Sequence, residues 1–464
     1  MKNIDQTLNG LWSDYKDLYN THRFIFALIG GTVVYAVFFF ISWTRLDPDF
    51  GWHLATGNHI LTSGIPRKGI FSYTAVNHSW IDHEWGNDLI LAILYNIGGY
   101  LLSAAFFAIL WTSALMIMGW RRRVWVLFIA ALAITPYAGI RPVAWSVFLF
   151  AVVLRIIQSK NKKWRWILPL IFLPWANLHA GFIAGLALII YFAVIEMDLK
   201  LLAILLLSGA LTLINPYGTS LYLEVARTIF DPVIHNQIIE WSSFLVVDPS
   251  KPYIALWIIG FILFEKPRWR RFIGLGPLLL ITALIATRNL PFFIVATVGN
   301  FDQYVTDIFK RVSFFKLKTL NKFMYLISIT LSISVLVFVI VVAFFPLQNR
   351  FTGYPVKEVA YLKQHSCNGN LFNDYNYGGF LIWKLPGVPD YIDGRMVTWI
   401  DHMNTYLKVM NDPQKYYYGQ FSKYDIRCAL LSQKMDYKLY RELLQHNWKV
   451  VVRDQQGGVL LKQT

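Results

Sequence analysis

The feature that most constrains this chain is a succession of long apolar runs whose charged residues lie at the run ends. About 20 apolar residues in a row cross a bilayer core as a helix. In lipid, only helices and closed barrels satisfy their own backbone hydrogen bonds. The first run extends from about Phe24 to Trp43 and contains no charge. It exceeds a signal-peptide core and no small-x-small cleavage site follows, so it reads as a retained anchor. Further runs lie near 100–119, 124–139, 142–157, 166–177, 180–195, 200–214, 252–265, 272–287, 290–300 and 323–345. They predict an α-helical multi-pass membrane protein with about eleven crossings. The run at 290–300 is short enough to be re-entrant or tilted.

Lys and Arg set the orientation, because cytoplasmic loops carry their excess. With the N-terminus inside, 21 of the 28 Lys and Arg before residue 347 fall on the cytoplasmic side and seven outside. This predicts a plasma-membrane protein whose residues 1–346 form the membrane module and whose residues 347–464 form an extracytoplasmic domain. A net charge of +16 does not indicate nucleic acid, whose readers carry basic residues on a polar surface rather than between apolar runs. Two cysteines, Cys367 and Cys428, exclude a disulfide scaffold and a Cys-rich metal site. A disulfide between them is one reading; a pair of small buried hydrophobes is the plainer one.

Acids are scarce, 27 in 464 residues, and none lies between Asp88 and Glu196. The topology places Asp47, Asp49, His53, Asp82, His83, Glu84, Arg141, His179, Asn215, Glu240 and Arg288 all on the outer side. Ionisable groups at membrane depth are costly unless they face a cavity or one another. Each residue alone reads equally well as a solvated loop residue. Together on one side they predict a site.

The first outer loop, about 44–98, carries most of the signal. Asp47-Pro48-Asp49 sets two carboxylates just beyond the first span, and Pro48 pushes Asp47 out of helical geometry so that a turn presents both acids. Close carboxylates repel, which raises one pKa and suits it to general-base work, or they share a divalent cation. A capping Asx turn is the simpler reading. Trp52–Thr62 reads as a short amphipathic helix stopped by Gly64, and Gly86–Ile97 as a second helix too short to cross. Asp82-His83-Glu84 before that second helix reads as an N-cap cluster or as a second acid pair.

These residues resemble the first outer loop of the GT-C superfamily, the multispan glycosyltransferases that use polyprenyl-phosphate sugars. That group includes protein mannosyltransferases, aminoarabinose transferases and oligosaccharyltransferase catalytic subunits. Leu46-Asp47-Pro48-Asp49 with His53 is similar to a bacterial branch. So are Ile140-Arg141-Pro142, Trp175-Ala176-Asn177-Leu178-His179-Ala180-Gly181, Leu213-Ile214-Asn215-Pro216-Tyr217-Gly218, Arg288-Asn289-Leu290-Pro291, Tyr377-Gly378-Gly379-Phe380-Leu381-Ile382-Trp383 and Ile392-Asp393-Gly394-Arg395. The tryptophan motif of oligosaccharyltransferases and the Asp-Glu pair of protein mannosyltransferases are both absent.

The resemblance implies an inverting transfer from a polyprenyl-phosphate-linked sugar to a glycan, lipid or protein acceptor, with membrane lipids as surroundings. The leaving group is already a phosphate, so positive charge at the phosphate is what helps; Arg141 and Arg288 stand at span mouths for that role. Asp47, with Asp49 as its modulator, is the expected base. Glu84 positions the acceptor or completes a metal site with Asp47 and Asp49 for Mg or Mn. His53, His83 and His179 are expected to bind substrate, or to be satisfied buried histidines. A transporter or flippase of lipid-linked saccharide, or a non-catalytic scaffold, is the alternative; transport predicts internal repeats, and none is evident.

Residues 347–464 read as a small α/β domain, with helices at Val356–Gln364 and Leu439–Gln445. Strands are expected at Asn370–Asn373, Asp390–Ile392, Cys428–Leu431 and Trp448–Arg453. Asp393-Gly394-Arg395 reads first as a strand-ending turn.

Overall fold

The computed structural model describes residues 23–76, 78–120, 122–243, 252–264, 274–312, 337, 351–397, 399–433, 435–454 and 458–463. Helix α1 spans Arg23–Thr44, α2 spans Phe50–Ser63 and α3 spans Trp85–Gly119. Helix α2 ends where predicted: the Gly64 backbone N–H reaches the Ile60 carbonyl at 3.2 Å, and Gly64 takes φ +84°, a conformation that favours glycine. The second loop helix ends at the expected boundary, although no loop follows it. It runs into the following span as α3, broken at Gly98 and at Gly99 with φ +62°. The first 13 residues of α3 are thereby set off from the rest. Its N-cap is Glu84 rather than Asp82, whose Oδ1 instead accepts the Glu84 N–H at 3.2 Å.

The expected count of about eleven crossings is not matched by the described helices. Two of them, Ala27–Thr44 within α1 and Trp85–Gly119, are long and apolar enough to cross a membrane. Apolar helices of 11 to 15 residues follow at Val124–Ile134, Val143–Ile157, Leu168–Leu178, Phe182–Glu196, Leu199–Thr212, Pro252–Phe264 and Leu275–Ile285. At 1.5 Å per residue they fall short of a ~30 Å core. The run at 290–300 belongs to a 23-residue helix, Leu290–Val312. The last expected span, 323–345, lies outside the described residues apart from Val337. Phe107, Trp111, Trp175 and Phe293 are fully buried where these helices meet.

The C-terminal part is α/β around one four-stranded sheet: β1 Asn370–Asn373, β2 Ile426–Ser432, β3 Trp448–Arg453 and β4 Gly458–Gln463, in the order β1-β2-β4-β3. β1 and β2 are parallel, and the other pairs are antiparallel. Alternation along β2 divides the core. Ala429 and Leu431 pack with Tyr406, Phe421, Leu439 and, from the first loop, Trp52, Ala75 and Trp80. Cys428 and Leu430 join the cluster that continues into the bundle. The helices Gly378–Lys384, Ile400–Asn411 and Pro413–Lys423 and strand β4 were not anticipated from sequence.

Two expectations fail here. Residues Asp390–Ile392 are no strand of the sheet; Asp390 pairs with the first loop, donating its N–H to the Phe71 carbonyl and accepting from the Tyr73 N–H, both at 3.1 Å. Cys367 and Cys428 are not merely small buried residues but a disulfide with Cα atoms 6.1 Å apart. The bridge fastens residue 367, ahead of β1, to the central strand β2. In the full-length protein, maleimide should label these two cysteines only after reduction. Replacing both with alanine should lower stability by about 3 kcal/mol, read as a lower melting midpoint.

Candidate active site

Helix α1 ends at Thr44, and the chain turns sharply at Asp47-Pro48-Asp49 before α2. Asp47 Oδ1 accepts the Asp49 N–H at 3.0 Å, an Asx turn. The turn fixes where both carboxylates point. Asp47 Oδ2 lies 2.8 Å from Arg141 Nε, and the same guanidinium bonds Glu240 through Nη1. Burial works against the Arg141 charge, but its two carboxylate partners outweigh that and hold its pKa above the usual value. Glu240 is half-buried, and although partial desolvation works against its charge, Arg141 keeps its carboxyl below the usual range. The positive charge of Arg141 is therefore engaged by two carboxylates of the protein.

Asp49 is in a different state. Its Oδ1 accepts the Trp52 indole N–H at 2.9 Å. Burial, then repulsion from Asp47, raises its pKa to about 6, against the opposing pull of His53, Trp52 and Arg141. A carboxyl poised near neutrality is better tuned to take a proton than one clamped by an arginine.

A second cluster surrounds Glu84. His179 Nε2 lies 3.4 Å from one carboxylate oxygen, and His53 Nε2 and His83 Nε2 each lie 3.6 Å from the group. Burial raises Glu84 to about 8 despite the pull of His53, and lowers His83 to about 4 with help from Arg288. His179 is lowered well below its usual value by burial and Arg288. Glu84 is thus mostly protonated at neutral pH, and His83 and His179 are neutral. The Gly181 N–H donates to His179 Nδ1 at 3.0 Å, so the neutral ring carries its proton on Nε2, facing Glu84.

Sequence reasoning missed the residues behind these rings. His53 Nδ1 bonds Asp88 Oδ1 at 2.6 Å, and Asn87 donates to the same oxygen at 3.2 Å. Trp145 donates to Asn87 at 3.2 Å. Ser146 meets His179 Nδ1 at 2.7 Å while accepting from Trp175 at 2.8 Å. Asp88 stands four residues after Glu84, one helical turn on, a spacing that could have flagged it. Nothing in the sequence ties Ser146 to His179.

Arg288 joins the two clusters electrostatically, acting on Glu240 and Glu84. Its guanidinium lies 4.2 Å from the centroid of the Trp241 ring, and it makes no ion pair among the described residues. The carboxylates Asp47, Asp49 and Glu84 do not form the expected cation site. Among the described residues no three His, Cys, Asp or Glu side chains are placed to hold a metal ion; Asp47 is engaged by Arg141 and Glu84 by imidazoles. Asn215-Pro216-Tyr217-Gly218 is a turn, with Asn215 Oδ1 accepting the Tyr217 N–H at 2.7 Å. Replacing Arg141 with glutamine should leave Asp47 and Glu240 facing each other uncompensated. A loss of about 2 kcal/mol is expected, between exposed-pair and buried-pair values, measurable as a lower melting midpoint.

No protein-family profile and no curated protein sequence matches the chain. Solved structures do. The archaeal oligosaccharyltransferase AglB from Archaeoglobus fulgidus, in complex with an inhibitory peptide and a dolichol-phosphate, aligns with a TM-score of 0.54 at 10% identity, covering 90% of this chain and 70% of that one. The apo form of the Archaeoglobus fulgidus oligosaccharyltransferase aligns with a TM-score of 0.51 at 10% identity, covering 89% and 70%. ArnT from Cupriavidus metallidurans, bound to undecaprenyl phosphate, aligns at 14% identity over 96% and 97% of the two chains, with a TM-score of 0.49. At such identities the likeness concerns the fold, and the chain shares the fold of the archaeal oligosaccharyltransferase, in agreement with the GT-C resemblance of its first loop.

Proposed function

We propose that this protein is an integral-membrane glycosyltransferase that moves a sugar from a polyprenyl-phosphate donor to an acceptor hydroxyl or amide on the outer face of the membrane. The observation that carries this reading is a carboxyl poised near neutrality, Asp49, whose neighbours Arg141 and Glu84 also act on Arg288, an arginine that makes no ion pair among the described residues. Asp49 takes the acceptor proton as the acceptor attacks the anomeric carbon. Arg288 faces the phosphate as its bond to the sugar breaks and charge develops on it. Direct displacement inverts the anomeric centre. Glu84 in its protonated form, together with the Nε2–H of His179, offers hydrogen bonds to sugar hydroxyls or to the acceptor. Asp47 keeps Asp49 near neutrality by repulsion and takes no proton itself.

Two further observations support the reading. A cavity of about 460 Å³, lined by Trp85, the residue after Glu84, and by Leu173, Pro174, Ile214 and Pro216 with Asn177 and Asn215, suits the first isoprenyl units of a donor. The Cys367–Cys428 disulfide suits an oxidising compartment, in keeping with an extracytoplasmic C-terminal domain. A flippase would move the donor without cleaving it. The test is therefore consumption of radiolabelled undecaprenyl-phosphate sugars by purified protein in lipid vesicles, with release of undecaprenyl phosphate.

Asp49→Asn should lower kcat by about 100-fold or more. Wild-type kcat should fall as pH drops through about 6, since the base works only when deprotonated. Asp47→Asn removes the repelling charge and should move that limb to lower pH. Full activity of Asp49→Asn rejects Asp49 as the base, and failure to consume any donor rejects the transferase reading.

A further inference from the structure

The turn Asp393-Gly394-Arg395 and the segment Gly378-Gly379 lie against the acidic turn of the first loop, on the far side of the chain in sequence. A Cβ added to Gly394 would come within 1.7 Å of Asp49 Oδ1 and 2.9 Å of Trp52 Nε1. One added to Gly379 would come within 2.0 Å of the Pro48 carbonyl, and one on Gly51 within 1.8 Å of the Gly379 carbonyl. Glycine is what lets these backbones approach so closely. The turn is itself anchored to the loop. The Arg395 backbone N–H and Nε donate to Asp393 Oδ1 at 2.8 and 2.9 Å. Ser72 of the first loop donates to Asp393 Oδ2 at 2.9 Å. The guanidinium carbon of Arg395 lies 4.7 Å from the Phe71 ring centroid, 4.8 Å from that of Trp80 and 5.1 Å from that of Trp399. Two of these rings belong to the first loop. Arg395 and Asp393 are both buried.

We infer that the C-terminal domain is a working part of the active site: the Asp393-Gly394-Arg395 turn is a positioning element that holds the Asp49 carboxylate against the Trp52 indole. The inference rests on the reading of Asp49 as the base. The turn touches the carboxylate without exchanging protons with it. Gly394 leaves room for one orientation of Asp49, that in which Oδ1 accepts the indole N–H, and Arg395 fixes Gly394 in place through the first loop. The domain thereby sets the base rather than merely following the membrane module.

The test reads Asp49 directly and needs no sugar donor. Infrared difference spectra of the full-length protein in lipid, wild type minus Asp49→Asn, isolate the Asp49 carboxyl band and its titration midpoint. Asp49 faces Asp47, His53, Glu84 and Arg141, and from the C-terminal part Tyr354 and Tyr375; none of these is altered by the variants used. Gly394→Ala should displace the carboxylate from Trp52 and raise the midpoint by about one pH unit, the loss of one hydrogen bond to the charged form. Trp52→Phe should produce the same rise, and the double variant no further rise. Gly419→Ala, where an added Cβ meets nothing within 4 Å, should leave the midpoint unchanged. Should Gly394→Ala not fold, Arg395→Lys carries the test, because it keeps the charge and loses the planar fork. A wild-type midpoint in the folded variant overturns the inference. Retained transfer in Asp49→Asn overturns instead the assignment of the base, and leaves the titration result standing.

Discussion

The arrangement of the site depends on how one half-buried guanidinium is shared. Arg141 binds Asp47 from the first loop and Glu240 from a loop about a hundred residues later, so a single cation ties the end of α1 to the second half of the bundle. An arginine removed from water needs such partners, and each carboxylate needs it in turn. What that triad leaves unsatisfied defines the chemistry. Asp49 keeps a carboxyl near neutrality because it is buried and because its neighbour Asp47 is held close, while Glu240 and Glu84 support the charge of Arg288 against burial.

Burial governs the second cluster in the opposite sense. Among the described residues no arginine makes an ion pair with Glu84, and burial raises the Glu84 carboxyl while it lowers His83 and His179. The outcome is a protonated acid beside the neutral rings of His83 and His179, rich in directional hydrogen bonds. Such a patch is suited to neutral sugar hydroxyls, whereas the Arg288 side is suited to phosphate. The same loop thus presents two environments within a few residues, and the difference comes from what packs behind each side chain: Arg141 behind Asp47, Asp88 and Ser146 behind the histidines.

Much of this was legible in the sequence. The apolar runs and the one-sided distribution of acids predicted a helical membrane protein with a loop-borne site. Asp47, Asp49, Glu84, His53, His83, His179 and Arg288 do come together around the first loop. The helix at 52–62 and three of the four strands were readable from periodicity and turn residues, because those patterns act locally. Of the expected crossings, two match described helices long and apolar enough to span, while an apolar run of 11 to 15 residues has the composition of a span without its length. The break at Gly98 and Gly99 in α3 falls between the short helix expected at 86–97 and the run expected at 100–119. Asp390–Ile392 looked like a strand and instead pairs with residues 71–73, a partner more than 300 positions away.

The sequence by itself determined the class of fold and the inventory of the site, because hydrophobic period and charge placement are properties of neighbouring residues. Which carboxylate is clamped and which is poised, which arginine is spent and which is free, and that Gly394 rests on Asp49 were decided only by tertiary structure. Those distinctions depend on desolvation and on distances of a few ångströms between residues far apart in the chain, and spacing along a sequence does not encode them.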